Sequence, residues 1–337
     1  MEAIPTKTIR QIIILLGLGV VGFLIFYELL PYLSGVLGAI TLYVLLKKPM
    51  KKLVNKGWHS SLAASFLMLL SFIGILIPVL GITLMLSNKV ENAVQNSGRL
   101  FTALQNFIIK FEDFIGYDFY KDLDVTAGTS WVGENAKVLI GSTFELFIAI
   151  SIMYFLLYFM LTKPNKLRKS IYNYAPFNEK HFHVITKEST KMIRSNALGI
   201  PIVAVAQGIV ALIGFLIFGI ENPIFWFVIV IIGSMIPFVG TLVGILPVFL
   251  ITLASGNDQS AIGILIYGLV VVGSTDNIIR LYVLKKMDDV HPLITLIGVI
   301  IGIPLFGFIG LIFGPITISL FIIVLRMYKL EYVDKKF

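Results

Sequence analysis

The sequence predicts an all-α polytopic membrane protein of about six full spans. Two re-entrant helical hairpins form a C-terminal inverted-topology repeat, and an amphipathic helical insert lies outside the cytoplasm. Three observations carry that prediction. The 337 residues are 57% hydrophobic and 14% charged, with mean hydropathy +0.93, whereas about a quarter of a soluble protein is charged. Several apolar runs exceed the roughly 18 residues that suggest a crossing, and none shows the alternation of a β-barrel strand. One phrase also occurs twice within long apolar stretches: Ile236-Pro237-Phe-Val-Gly240 and Ile303-Pro304-Leu-Phe-Gly307. A proline removes a backbone donor and a glycine eases a turn. Paired breaks at membrane depth are the pattern of a carrier's binding site.

In chain order, the first span is expected over 11–30 and a shorter one over 33–46. The latter stops at a loop, 47–56, with five lysines and no acid. A third span covers 62–86. Residues 87–137 then turn polar, and Leu100, Leu104, Phe107, Phe111 and Phe114 recur at the spacing of an amphipathic helix. A fourth span covers 138–161, and a loop, 163–196, sets eight Lys/Arg against Glu179 and Glu188. A fifth span covers 198–218. A broken stretch at 223–255, a span at 261–277 and a second broken stretch at 292–325 complete the chain. This divides it into N-terminal scaffold spans (1–86), the insert (87–137), the fourth span with its basic loop (138–197), a transport core (198–325) and a tail (326–337).

Charge orients these elements. With both termini cytoplasmic, the basic loops fall inside and the slightly acidic insert falls outside, as the excess of Lys and Arg in cytoplasmic loops requires. The broken stretches can be threaded as kinked single crossings or as hairpins. Hairpins put Gly256–Ser260, which has no basic residue, outside, and Arg280, Lys285 and Lys286 inside. The arm 224–236 would be roughly 20 Å of helix, short of a hydrocarbon core of about 30 Å. Both observations favour hairpins, one entering from each side.

Asp276 is the sharpest candidate for function. An acid beside the apolar run 261–273 needs a partner or a wet cavity. It could bind a proton, a monovalent cation or a polar solute, or it could simply pair with Arg280 one helical turn on. Asn277 can donate and accept, or cap locally. Gln207, midway along the fifth span, reads as a cavity residue or as interhelical glue. The tip residues Pro237, Gly240, Thr241, Gly244, Pro304, Gly307 and Gly310 either expose backbone groups to a ligand or pack helices closely.

Other classes are excluded or disfavoured. The chain has no cysteine, so thiolate chemistry is absent. No phosphate-cradling lysine loop, nucleophile elbow or metal-ligand spacing is found, so no enzyme and no cofactor are expected beyond a coupling ion, H+ or Na+. The net charge of +8 fits cytoplasmic loops at a lipid bilayer, and no nucleic-acid partner is expected.

The run Asp276-Asn277-Ile-Ile-Arg280, then His291-Pro292-Leu293, Gly302, Gly307, Gly310 and Gly314-Pro315, resembles the autoinducer-2 exporter family. So do Asn222-Pro223, Ile236-Pro237-Phe-Val-Gly240 and Leu246-Pro247. The resemblance implies a plasma-membrane transporter assembled as a homo-oligomer, a pentamer. It also implies either export of a small polar signal like autoinducer-2 or Na+(Li+)/H+ antiport.

Overall fold

The computed structural model describes residues 6–95, 143–174, 179–236, 240–275, 278–279 and 292–329. Among these every regular element is helical. The protein is a polytopic all-α membrane protein. Among the described residues five helical stretches are long and apolar enough to cross a bilayer, and a bent pair makes a sixth.

Helix α1 (Thr6–Leu29) leads through a 3-10 turn (Leu30–Tyr32) into α2 (Leu33–Asn55). The sequence suggested two separate spans. Instead the backbone stays right-handed at Leu29, Tyr32 and Leu33, so nothing folds α1 back onto α2. Together they form one helical stretch, Ile9–Asn55, of 47 residues. The lysine-rich segment 47–56 is likewise helix rather than loop as far as Asn55, because lysine is a good helix former and Pro49 alone does not end the helix.

Helix α3 (Ser60–Gln95) runs nine residues past the expected third span, through 87–95. The rest of the insert, including Leu100–Phe114, lies outside the described residues. Helix α4 (Thr143–Thr162) packs on α2 and α3 around Ala39, Ala63, Ala64 and Leu157, all fully buried. At Lys163 the chain bends by 101° into α5 (Pro164–Tyr174). The expected basic loop 163–196 is therefore mostly helical. Helix α6 (Glu179–Ile217) begins within it and continues, past an internal Pro201, into the fifth span.

A tight turn ends α6. Asn222 takes a left-handed φ of 53°, and Pro223 opens α7 (Pro223–Ser234) at the first helical position, where its missing N–H costs nothing. Helix α8 (Gly240–Ala254) folds back on α7: a Cβ on Gly244 would strike Val230, and one on Gly233 would strike the Gly240 carbonyl. Helix α9 (Asp258–Tyr267) continues through a π-helical turn (Gly268–Val272) to Thr275. Tyr267 Oη donates to the Val210 carbonyl at 3.0 Å and ties α9 to α6. The core of this half is Ala211, Phe215, Val230, Ile245, Val248, Ile264 and Val272.

The second broken stretch is α10 (Pro292–Phe306), a 3-10 turn (Gly307–Ile309) and α11 (Gly310–Tyr328). A straight helix would hold Gly298 and Gly314 about 24 Å apart, yet a Cβ on Gly314 would strike the Gly298 carbonyl. The turn is possible because Gly307 adopts φ +64°, a region that costs an L side chain roughly 1–2 kcal/mol. Pro304 is not the break. It sits inside the last turn of α10, and the chain reverses three residues later.

Candidate functional site

Helix α6 positions the site, because one arm of each hairpin, α7 and α11, lies antiparallel along it from opposite ends. On one side a Cβ on Gly208 would strike Ile231 of α7, and α7 starts just beyond the end of α6. On the other, Asn196 Nδ2 donates to the Ile312 carbonyl at 3.3 Å, and Met192 and Ile193 pack on Phe313 and Ile316 of α11. With a rise of about 1.5 Å per residue, both reversals come level with the region around Pro201. Asn196 and Gln207 are eleven positions apart, close to three full turns, so they share one face of α6.

Pro201 adds to the polarity of that region. It cannot donate to the Ala197 carbonyl, so the helix itself leaves that acceptor free. Ile200-Pro201 repeats the opening of the doubled phrase, so its signal was present in the sequence.

The polar side chains gather on the first hairpin. Gln207, Thr241 and Ser234 are buried at 1%, 9% and 3% exposure. Gln207 Nε2 donates to Thr241 Oγ1 at 3.5 Å. Gln207 Oε1 and Ser234 Oγ find no partner among the described residues. Ser234 lies one turn beyond Ile231 on the face of α7 that meets α6, next to Gly240, whose Cβ would come within 2.5 Å of the Ser234 Cα. A buried polar group without a partner costs about 1–3 kcal/mol, so each of these two oxygens is a position where a ligand, ion or water would be stabilising. The set is neutral, with hydroxyl and amide oxygens that accept and an amide and hydroxyls that donate. It suits a polyhydroxylated solute or a weakly held monovalent cation.

The sequence singled out Gln207 and Thr241, and the structure brings them together. Ser234 was missed, although a lone serine in the apolar run 223–236 was a readable signal. Gly240, Gly244 and Gly310 sit in helices and let the arms of each hairpin touch. Gly307 alone is at an open turn, with nothing within 4 Å of an added Cβ. Asp276, Asn277, Arg280 and Pro237 lie outside the described residues. Among the described residues no group of acids and histidines could hold a metal.

The description "AI-2E family transporter" matches residues 13–330. The chain belongs to the AI-2E transporter family. Its family relatives carry provisional transport-protein names. One, from Aquifex aeolicus, is 24% identical over 200 residues, 59% of this chain and 57% of that one. Another, from Mycobacterium tuberculosis H37Rv, is 24% identical over 305 residues, 84% of this chain and 79% of that one. A third, from the Buchnera aphidicola of Acyrthosiphon pisum, is 31% identical over 181 residues, covering 52% and 49%. As an AI-2E family member this is a multi-pass membrane protein with a transport role.

Proposed function

We propose that the protein is a secondary transporter that exports a small polar solute, of the kind of autoinducer-2, by alternating access. The observation that carries this reading is the pair of buried oxygens without a partner among the described residues, Gln207 Oε1 and Ser234 Oγ, near where two helix reversals approach α6 from opposite ends. In this account 198–325 is the moving core, the spans in 1–86 and the fourth span are its scaffold, and the insert 87–137 lies outside. Solute occupies the space beside Gln207, Ser234 and Thr241, with Asp276, next in sequence after the described end of α9 at Thr275, binding solute or coupling ion beside Asn277 and Arg280. The turn after Ile236 and the turn at Gly307 act as gates.

The same account orients the chain in the plasma membrane. The lysines at the end of α2, helix α5, the start of α6 and Arg326 share one end of the bundle. The excess of Lys and Arg on cytoplasmic loops makes that end cytoplasmic. The exposed apolar surface of α1 leaves area for lipid and for neighbouring copies in a homo-oligomer.

A second reading, Na+(Li+)/H+ antiport, is favoured by the all-oxygen character of the orphaned acceptors, since hard cations take oxygen ligands. Both readings make Ser234 a functional cost to stability. Ser234→Ala is expected to raise stability by about 1 kcal/mol, by removing a desolvated hydroxyl, and to lower transport in reconstituted vesicles. Gln207→Leu is expected to abolish transport. If Ser234→Ala stabilises the protein and transport is unchanged in both variants, the polar set is structural and this site is wrong.

A further inference from the structure

The basic end of the bundle holds a second site, far along α6 from Gln207. Helix α5 leaves the span α4 at 101°, so where α4 crosses the bilayer α5 runs along its surface. It is amphipathic and carries Lys166, Arg168 and Lys169, the composition of an interfacial helix. Tyr172 meets Phe182 edge to face, with ring centroids 5.3 Å apart. That contact pins α5 against the first turn of α6.

Two adjoining cavities of about 270 Å³ each open between these helices and the end of α2. Both are lined by Arg168, Phe182 and His183. Lys169 and Glu179 line the first, and Lys47 and Lys187 line the second. The second cavity thus gathers three basic side chains, Lys47, Arg168 and Lys187, from three helices with no carboxylate in its lining, and the first adds Lys169 and the carboxylate of Glu179. Like charges gathered this way repel unless an anion joins them, and a guanidinium with flanking ammonium groups fits phosphate oxygens.

We infer that this α2–α5–α6 pocket binds the phosphate headgroup of an anionic phospholipid. The phosphate sits between Arg168, Lys47 and Lys187, on the ring of Phe182. The depth supports a lipid source over a soluble phosphate. The pocket lies at the end of the apolar part of α4, marked by Lys163 over the Phe159 ring at 5.7 Å, and a basic pocket between helix ends at the cytoplasmic surface is where anionic headgroups are held. The bound lipid would brace α5 against α6, the helix along which both hairpins pack.

The test uses the full-length protein, purified in mild detergent from nanodiscs of mixed phosphatidylglycerol and phosphatidylcholine, with retained lipid counted by native mass spectrometry. Wild type is expected to keep phosphatidylglycerol over phosphatidylcholine. The variant R168Q/K187Q, at two exposed positions, should retain at least fivefold less, and K47Q alone should also lose retention. K329Q, an exposed charge at the same end, should retain lipid as wild type does. The proposal is overturned if R168Q/K187Q and K47Q retain phosphatidylglycerol as wild type does, or if K329Q loses as much as they do. It is also overturned if millimolar inorganic phosphate displaces the lipid, which would make free phosphate the ligand.

Discussion

Gly314→Leu is expected to abolish the second hairpin. A Cβ at that position would strike the Gly298 carbonyl and come within 3.0 Å of the Gly302 Cα. Both obstacles are backbone, so no side chain can swing aside. Overpacking a close contact typically costs about 1–3 kcal/mol and occasionally more, and here the arms would have to separate along their length. Separation would also uncover the contact of Phe313 and Ile316 with α6. The expected result is a variant that is recovered poorly and unfolds well below wild type in a size-exclusion thermal assay. Gly17→Leu in α1, where an added Cβ meets nothing within 4 Å, is the matched control and should behave as wild type. A stable, monodisperse Gly314→Leu protein would contradict the hairpin packing.

The second large effect is expected from Asp276→Asn. The substitution keeps the size of the side chain and removes its charge and proton. If the carboxylate binds solute or coupling ion, a charge-assisted contact worth about 1.5–3 kcal/mol is lost, or about ten- to a hundredfold in affinity. Under solute export, efflux from loaded vesicles falls whatever the Na+ gradient. Under antiport, the Na+-dependent pH change disappears. If Asp276 instead only pairs with Arg280, both assays stay intact while stability drops, and the acid leaves the mechanism. A non-transporting scaffold working through residues 87–137 predicts no activity in either assay for wild type itself.

Much of the fold was legible because the bilayer restricts the choices. Long apolar runs must be helices, and the two Ile-Pro-x-x-Gly phrases did mark the two chain reversals. What the sequence blurred was the distinction between charge and loop. The segments 47–56 and 163–196 looked like loops because lysines end apolar runs, yet α2 runs on to Asn55 and the helices α5 and α6 take up most of 163–196. Hydropathy reports where the membrane ends, not where the helix does. The roles of the glycines were only half readable: Gly307 takes the turn, whereas Gly240, Gly244 and Gly310 are contact points whose partners no local pattern reveals. The junction of α1 and α2 was misread for a related reason. The two spans were separated near Pro31, but proline near a helix start fits continuous right-handed backbone.

In the candidate site, Gln207 stood out because an amide in a span needs a partner, and Thr241 came with the hairpin phrase. Ser234 became visible only when α7 was laid on α6. Its place in the proposed site rests on a buried hydroxyl with no partner among the described residues, which only the packed helices reveal.

The central claim is that the two hairpins enter from opposite faces of the membrane and converge on α6. Because the chain has no cysteine, single substitutions Asn257→Cys, in the connection between α8 and α9, and Lys286→Cys can be probed in intact cells with a membrane-impermeant thiol reagent. Labelling at position 257, with position 286 protected until the cells are permeabilised, is the predicted result. Labelling at 286 with protection at 257 would contradict it.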